Sequence, residues 1–107
     1  MVKIYYNRAA HLIHVQGHAG QAEPGKDLIC AAASILAATA GSCVRNAQEA
    51  GYAKSAVVRL EPGDTEISCR PVRRMEPVLR MQLDAICAGF ELLAANAPEF
   101  AEYIRTN

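Results

Sequence analysis

Apolar and polar residues alternate from the start of the chain, with Val2, Ile4 and Tyr6 set against Lys3 and Tyr5. The alternation returns between His11 and His18, where Ile13 and Val15 are set against His14 and Gln16. A period of two sends successive side chains to opposite faces, so each stretch is predicted to be a strand with one dry face. Residues 7–10 are short enough for a hairpin connection, and the two strands are expected to pair antiparallel. From residue 28 to 50 the pattern changes: no charged residue stands between Asp27 and Arg45, and alanine dominates. Alanine is the best helix former, so this is a largely buried helix, ended by Gly51, which can take left-handed backbone. The uncharged run falls short of the roughly 20 apolar residues a bilayer requires. Ser34, Thr39 and Ser42 also interrupt it, so no membrane association is expected.

Residues 56–60 and 66–70 flank Glu61-Pro-Gly-Asp64, where proline presets one dihedral and glycine relieves another, which predicts a second hairpin. Beyond Pro71, apolar residues at 75, 79, 83, 86, 90 and 93 follow helical spacing, and Pro98 is expected to open a short final helix. The order is ββαββα. Strands with one wet face need cover on the other. The expected fold is therefore α+β, a two-layer sandwich in which helices cover one face of a small antiparallel sheet.

Composition adds bounds more than direction. A chain of 107 residues, 51% hydrophobic and 21% charged, fits one packed domain over residues 1–107. Lys plus Arg equals Asp plus Glu, at 11 each, so no overall field draws it to nucleic acid or acidic lipid. The N-terminus lacks the apolar run of a secretion signal, and a cytoplasmic location is expected. Cys30, Cys43, Cys69 and Cys87 are widely spaced and are read as thiols. No pair is spaced CxxC and His11 does not share a strand face with His14 and His18, so neither a metal nor another cofactor is expected.

Chemistry concentrates in GHAGQAEPGKDLICAAAS, residues 17–34. Asp27 is placed to cap the long helix. Cys30 then falls in the first turn, where unsatisfied amides and the positive end of the helix favour a thiolate. The negative charge of Asp27 opposes that effect unless capping or a histidine engages it. Gly17, Gly20 and Gly25 make the loop permissive enough to bring His18 to the helix start, where it can take the thiol proton. Ser34 lies one turn beyond Cys30 on the same helical face. On spacing alone other readings stay open, with Cys30 as a small core residue, His18 as a solvated strand end and Ser34 as a hydroxyl bonded to its own helix. A redox switch at Cys30 lacks an obvious resolving partner. Cys43, Cys69 and Cys87 are read as core. Arg70, Arg73, Arg74 and Arg80 gather positive charge after the last predicted strand; they are either a solvated face or a contact to RNA phosphates or an acidic peptide, without nearby tyrosines as a stacking platform.

The same segment resembles the signature of the ribosomal-processing cysteine proteases, the Prp family, in its GHA, its short loop with GKD, and its CAA followed by serine. The predicted element order and the late Asn-Ala-Pro-Glu-Phe segment, residues 96–100, extend the resemblance over nearly the whole chain. Pro24 is a departure, because the family often carries a bulkier residue there. The resemblance implies a cytoplasmic, homodimeric endopeptidase that removes an N-terminal extension from a large-subunit ribosomal protein precursor. It implies Cys30 as nucleophile and His18 as general base, with Gly17, Asp27 and Ser34 shaping or orienting the site. It also implies a loop, with Gly20 and Gly25, that moves as a phenylalanine-rich substrate binds. The alternative is a non-catalytic protein associated with the ribosome or RNA through the arginine cluster.

Overall fold

The structure is a computed structural model that describes residues 1–17 and 26–107, with Lys26 and Asp27 described by backbone alone. Strands β1 (Val2–Asn7) and β2 (Leu12–Gln16) form the expected antiparallel hairpin, with Ile4 opposite Val15 and Tyr5 opposite His14. Helix α1 (Lys26–Glu49) follows, then the hairpin of β3 (Ala53–Glu61) and β4 (Asp64–Pro71). A 3-10 turn, Arg73–Met75, leads into α2 (Glu76–Asn96), and the described chain closes with β5 (Ala101–Thr106). The five strands lie in the order β3-β4-β2-β1-β5. Helix α1 packs over β3 and β4, while α2 packs on α1 and β5. The α+β two-layer arrangement read from the sequence is the one observed.

Strand alternation sends Ile4, Tyr6, Ile13 and Ile67 to the helix side, where each is 1% exposed or less. They share one buried cluster with Leu79, Leu83, Cys87 and Phe90, spaced three or four apart along one face of α2. Helix α1 supplies mainly small residues, Ala33, Ala37, Ala40, Val44 and Ala47, which bring its backbone close to the sheet. By length and composition Leu28–Glu49 is apolar enough to cross a membrane; the expectation that it is largely buried holds for one face only, which packs in the core, while Leu28 and Ile35 are 75% and 65% exposed. Gly51, at φ +78°, ends it: the Gly51 and Tyr52 amides donate to the Gln48 and Ala47 carbonyls, satisfying acceptors that the last turn leaves free.

Two expectations are corrected. The chain after Pro98 forms no helix; β5 pairs parallel with β1, which makes the sheet mixed. Proline opens a turn as readily as a helix. What decides here is the free edge of β1, whose row of amides and carbonyls β5 satisfies: Val2 N–H donates to Phe100 O at 2.8 Å and Arg8 N–H to Thr106 O at 2.9 Å. The second correction is at Asp27, which falls inside the first turn of α1 because the helix begins one residue earlier.

Candidate active site

Helix α1 begins beside the end of β2, so Cys30 sits one turn into the helix and faces the mouth of the β3–β4 hairpin. The space between them is a cavity of about 660 Å³ lined by Cys30, Ser34, Ala37, Leu60, Pro62 and Asp64 among others. Cys30 is half-buried and packs against the core on one side while lining the cavity on the other. Ser34, one turn on, lines the same cavity, as the helical spacing predicts. Cys69 and Cys87 are 3% and 1% exposed, and burial raises both thiols, that of Cys87 to about 12. Neither supplies a thiolate near neutral pH. Cys43 is half-buried, and all four cysteines are free.

Gly17 also lines the cavity, and its place there demands glycine. Its φ is +89°, and a Cβ would run into the carbonyl oxygen of Met1. Its amide donates to Gly63 O at 3.0 Å, fastening the end of β2 to the β3–β4 turn. The structure thus gathers Gly17, Cys30 and Ser34 around one opening. His18, Gly20 and Gly25 lie outside the described residues, and so does the side chain of Asp27.

The far wall is a part of the site that sequence reasoning missed. Glu61-Pro-Gly-Asp64 is legible as a turn, but its role depends on β4 pairing with β2, which sets Asp64 opposite Gln16 and next to Gly17. Asp64 accepts from Arg59, and His14 Nε2 lies 3.0 Å from its other oxygen. Hydrogen bonds from Arg59 and then His14 hold this carboxyl below its ordinary range, so it stays a carboxylate at the rim. Leu60, Pro62, Ala37 and Ala38 keep the interior largely apolar, while Glu61 and Asp64 make one edge acidic. Apolar walls, one polar edge and a thiol meet in this open trough.

The fold is shared with solved structures. The protein SMU.848 from Streptococcus mutans aligns with a TM-score of 0.67 at 22% identity, covering 98% of this chain and 91% of that one. An essential ribosomal processing protease Prp from S. aureus, in complex with a substrate peptide, aligns with a TM-score of 0.64 at 17% identity over 98% of this chain and 97% of that one. The same S. aureus protease with a covalently linked product peptide gives 0.66 and 18%, with the same coverage of 98% and 97%. No curated protein matches. The thiol in the trough fits the class that the family model over most of the chain gives, a cysteine peptidase. Residues 1–102 match the family described as cysteine protease Prp, and the chain belongs to it.

Proposed function

We propose that the protein is an endopeptidase that removes the N-terminal extension of a large-subunit ribosomal protein precursor, using Cys30 as nucleophile and His18 as general base. The observation that carries this reading is Cys30 itself, half-buried one turn into α1 and lining the largely apolar trough. His18 enters by its motif position, next to Gly17, which the structure brings to the same opening. In the first half-reaction the Cys30 Sγ bonds to the scissile carbonyl carbon, its proton passing to the His18 imidazole. The amine leaves with that proton, and an acyl thioester remains. Water then adds to the thioester, giving its proton to the imidazole, and the imidazolium returns that proton to the sulfur as the Cys30 thiol departs from the acid product. In this reading the unpaired amides of the first turn of α1 stabilise the oxyanion in both halves. Leu60, Pro62, Ala37 and Ala38 suit an aromatic side chain ahead of the cut.

The homologous S. aureus protease bound to peptide supports a peptide substrate and processing of a ribosomal protein. Four free thiols fit action in the reducing cytoplasm. The working form in this reading is a homodimer, supported by a stripe on α2. Val78, Met81, Ala85, Ala88, Leu92 and Ala95 repeat at spacings of three and four, and all six are exposed. That is the seam of a helix that packs against another helix.

Intact-mass measurement of the extended precursor after incubation with this protein tests the assignment. The expected product is a single cut near the N-terminus, absent with Cys30→Ala and with His18→Ala while both variants keep the wild-type circular dichroism. Cleavage that survives Cys30→Ala sinks the mechanism, and an uncut precursor removes the substrate.

A further inference from the structure

The proposed cleavage site lies at the turn of the β3–β4 hairpin, and the opposite end of that hairpin carries a cluster of positive charge of its own. Lys54 and Arg70 are directly opposite one another across the ladder, both exposed. Like charges in that relation destabilise a sheet. The same ladder elsewhere sets Arg59 opposite Glu66, with the guanidinium 3.7 Å from the carboxylate. Among the described residues, no carboxylate comes within 4.0 Å of Lys54, Arg70, Arg73 or Arg74. Arg80, grouped with them by sequence, does not share this state, because it reaches Glu76 at 3.7 Å one turn away on α2.

Two further features distinguish this end from a merely solvated face. Val72 N–H donates to Tyr52 O at 2.8 Å, folding the Arg73–Met75 turn back onto the start of β3. The Arg74 guanidinium comes to lie 5.8 Å from the centroid of the Tyr52 ring, which stays 39% exposed. The tyrosine that sequence reasoning found lacking is supplied by the fold. Beside it, Arg70, Ser55, Ser68 and His11 line a depression of about 720 Å³. Among the described residues, both non-glycine positions with positive φ, His11 at 52° and Ser55 at 54°, stand on its wall. Such backbone is uncommon outside glycine and is held here by its surroundings: Gln48 Oε1 accepts the amide of Ala56 at the bulge, and the His11 ring meets Glu76 at 2.8 Å.

We propose that this end of the sheet docks a single strand of RNA, with Lys54, Arg70 and Arg73 on successive phosphates and the Tyr52–Arg74 pair as a stacking platform for a base. Charge complementarity is the first argument, since an adjacent row of phosphates offsets the repulsion between Lys54 and Arg70. The second is the aromatic beside the cations: every base has a π-face to stack, whereas the side chain of an acidic peptide has none. The third is the pair of hydroxyls, Ser55 and Ser68, at the wall of the depression. They suit the 2′-hydroxyl by which RNA differs from DNA. The surface is well removed from the peptide trough: Lys54 and Leu60 stand near opposite ends of β3, which spans Ala53–Glu61.

The test is fluorescence anisotropy of a labelled 20-nucleotide single-stranded RNA titrated with the full chain at two salt concentrations. Binding is expected to weaken with salt and to fall at least tenfold in the Arg70→Glu, Arg73→Glu double variant. Its salt slope should become shallower by about 0.7 for each phosphate that the variant no longer neutralises. Tyr52→Ala, which leaves the charge intact, should weaken binding several-fold, and Lys3→Glu, at the other end of the sheet, should not. Single-stranded DNA of the same length should bind several-fold more weakly, and polyglutamate should not compete. Absence of salt-dependent binding, or binding that the double variant leaves intact while its circular dichroism is native, overturns the proposal. DNA binding as tight as RNA, or effective competition by polyglutamate, overturns RNA as the occupant.

Discussion

Asp84 ties the two layers together at the β1 side of the sheet. Tyr6 is 1% exposed, and its hydroxyl donates to Asp84 at 2.7 Å; Arg8 grips the same carboxylate with two nitrogens, each at 3.0 Å. The Arg8 hydrogen bond, against a smaller opposing effect of burial, holds the Asp84 carboxyl below its ordinary value. A carboxyl with a lowered folded-state pKa contributes stability that is fully present above its unfolded value, near 3.8, and is lost as pH falls through the folded value. Asp84→Asn keeps an acceptor for Tyr6 and removes the charge that Arg8 grips. The variant is expected to lose about 1–2 kcal/mol at neutral pH and to show a shallower loss of stability in acid than the parent. Urea titrations at neutral pH and near pH 3 check both expectations; equal stability of parent and variant at neutral pH would show that Asp84 is only a solvated surface charge.

Among the elements, α1 meets β3 closely at a glycine. A Cβ on Gly41 would come within 2.8 Å of Val58 Cγ1, and a β-branched side chain in a strand has little rotamer freedom with which to withdraw. Alanine in place of glycine favours a helix by about 1 kcal/mol, whereas overpacking costs about 1–3 kcal/mol. Because the obstructing methyl sits on a stiff side chain, overpacking wins: Gly41→Ala should lower the melting temperature, and adding Val58→Ala should recover part of the loss. A variant more stable than the parent would mean that α1 shifts freely on β3. Packing of this kind is not legible in a single sequence, whereas the elements that pack largely are. Alternation marked β1 and β2, alanine content marked α1, the Pro-Gly turn marked the second hairpin, and the spacing of Leu79, Leu83 and Phe90 marked α2. The signal for β5 is weak, since Ala101 and Tyr103 alternate for only a few residues and its pairing partner is at the other end of the chain. In the trough, Gly17, Cys30 and Ser34 were legible because one motif holds all three. Asp64 was not, because the order β4-β2 that brings it to Gly17 is a property of the whole sheet.

At the scale of the whole molecule the sandwich is one-sided. The sheet is covered by two helices, and the outer surface of those helices has no third layer over it among the described residues. Polar residues normally take such a surface, yet on α2 Val78 is 43% exposed, Met81 71% and Leu92 63%, in register with exposed alanines at 85, 88 and 95. Three alanines leave room beside Val78, Met81 and Leu92 for a second helix, and the homodimer proposed above would set this stripe against its own copy across a two-fold axis. Burying Met81 and Leu92 in such a seam removes about 1.5–3 kcal/mol per side chain of exposed apolar cost, while glutamates at those two positions would put like charges face to face. Met81→Glu with Leu92→Glu should therefore convert a dimer to a folded monomer in sedimentation velocity, at concentrations where the parent sediments as a dimer. A parent that is monomeric throughout the micromolar range rules out the dimer. If the parent dimerises and the variant does so equally, the interface lies elsewhere, and the α2 stripe is left without the partner its spacing implies.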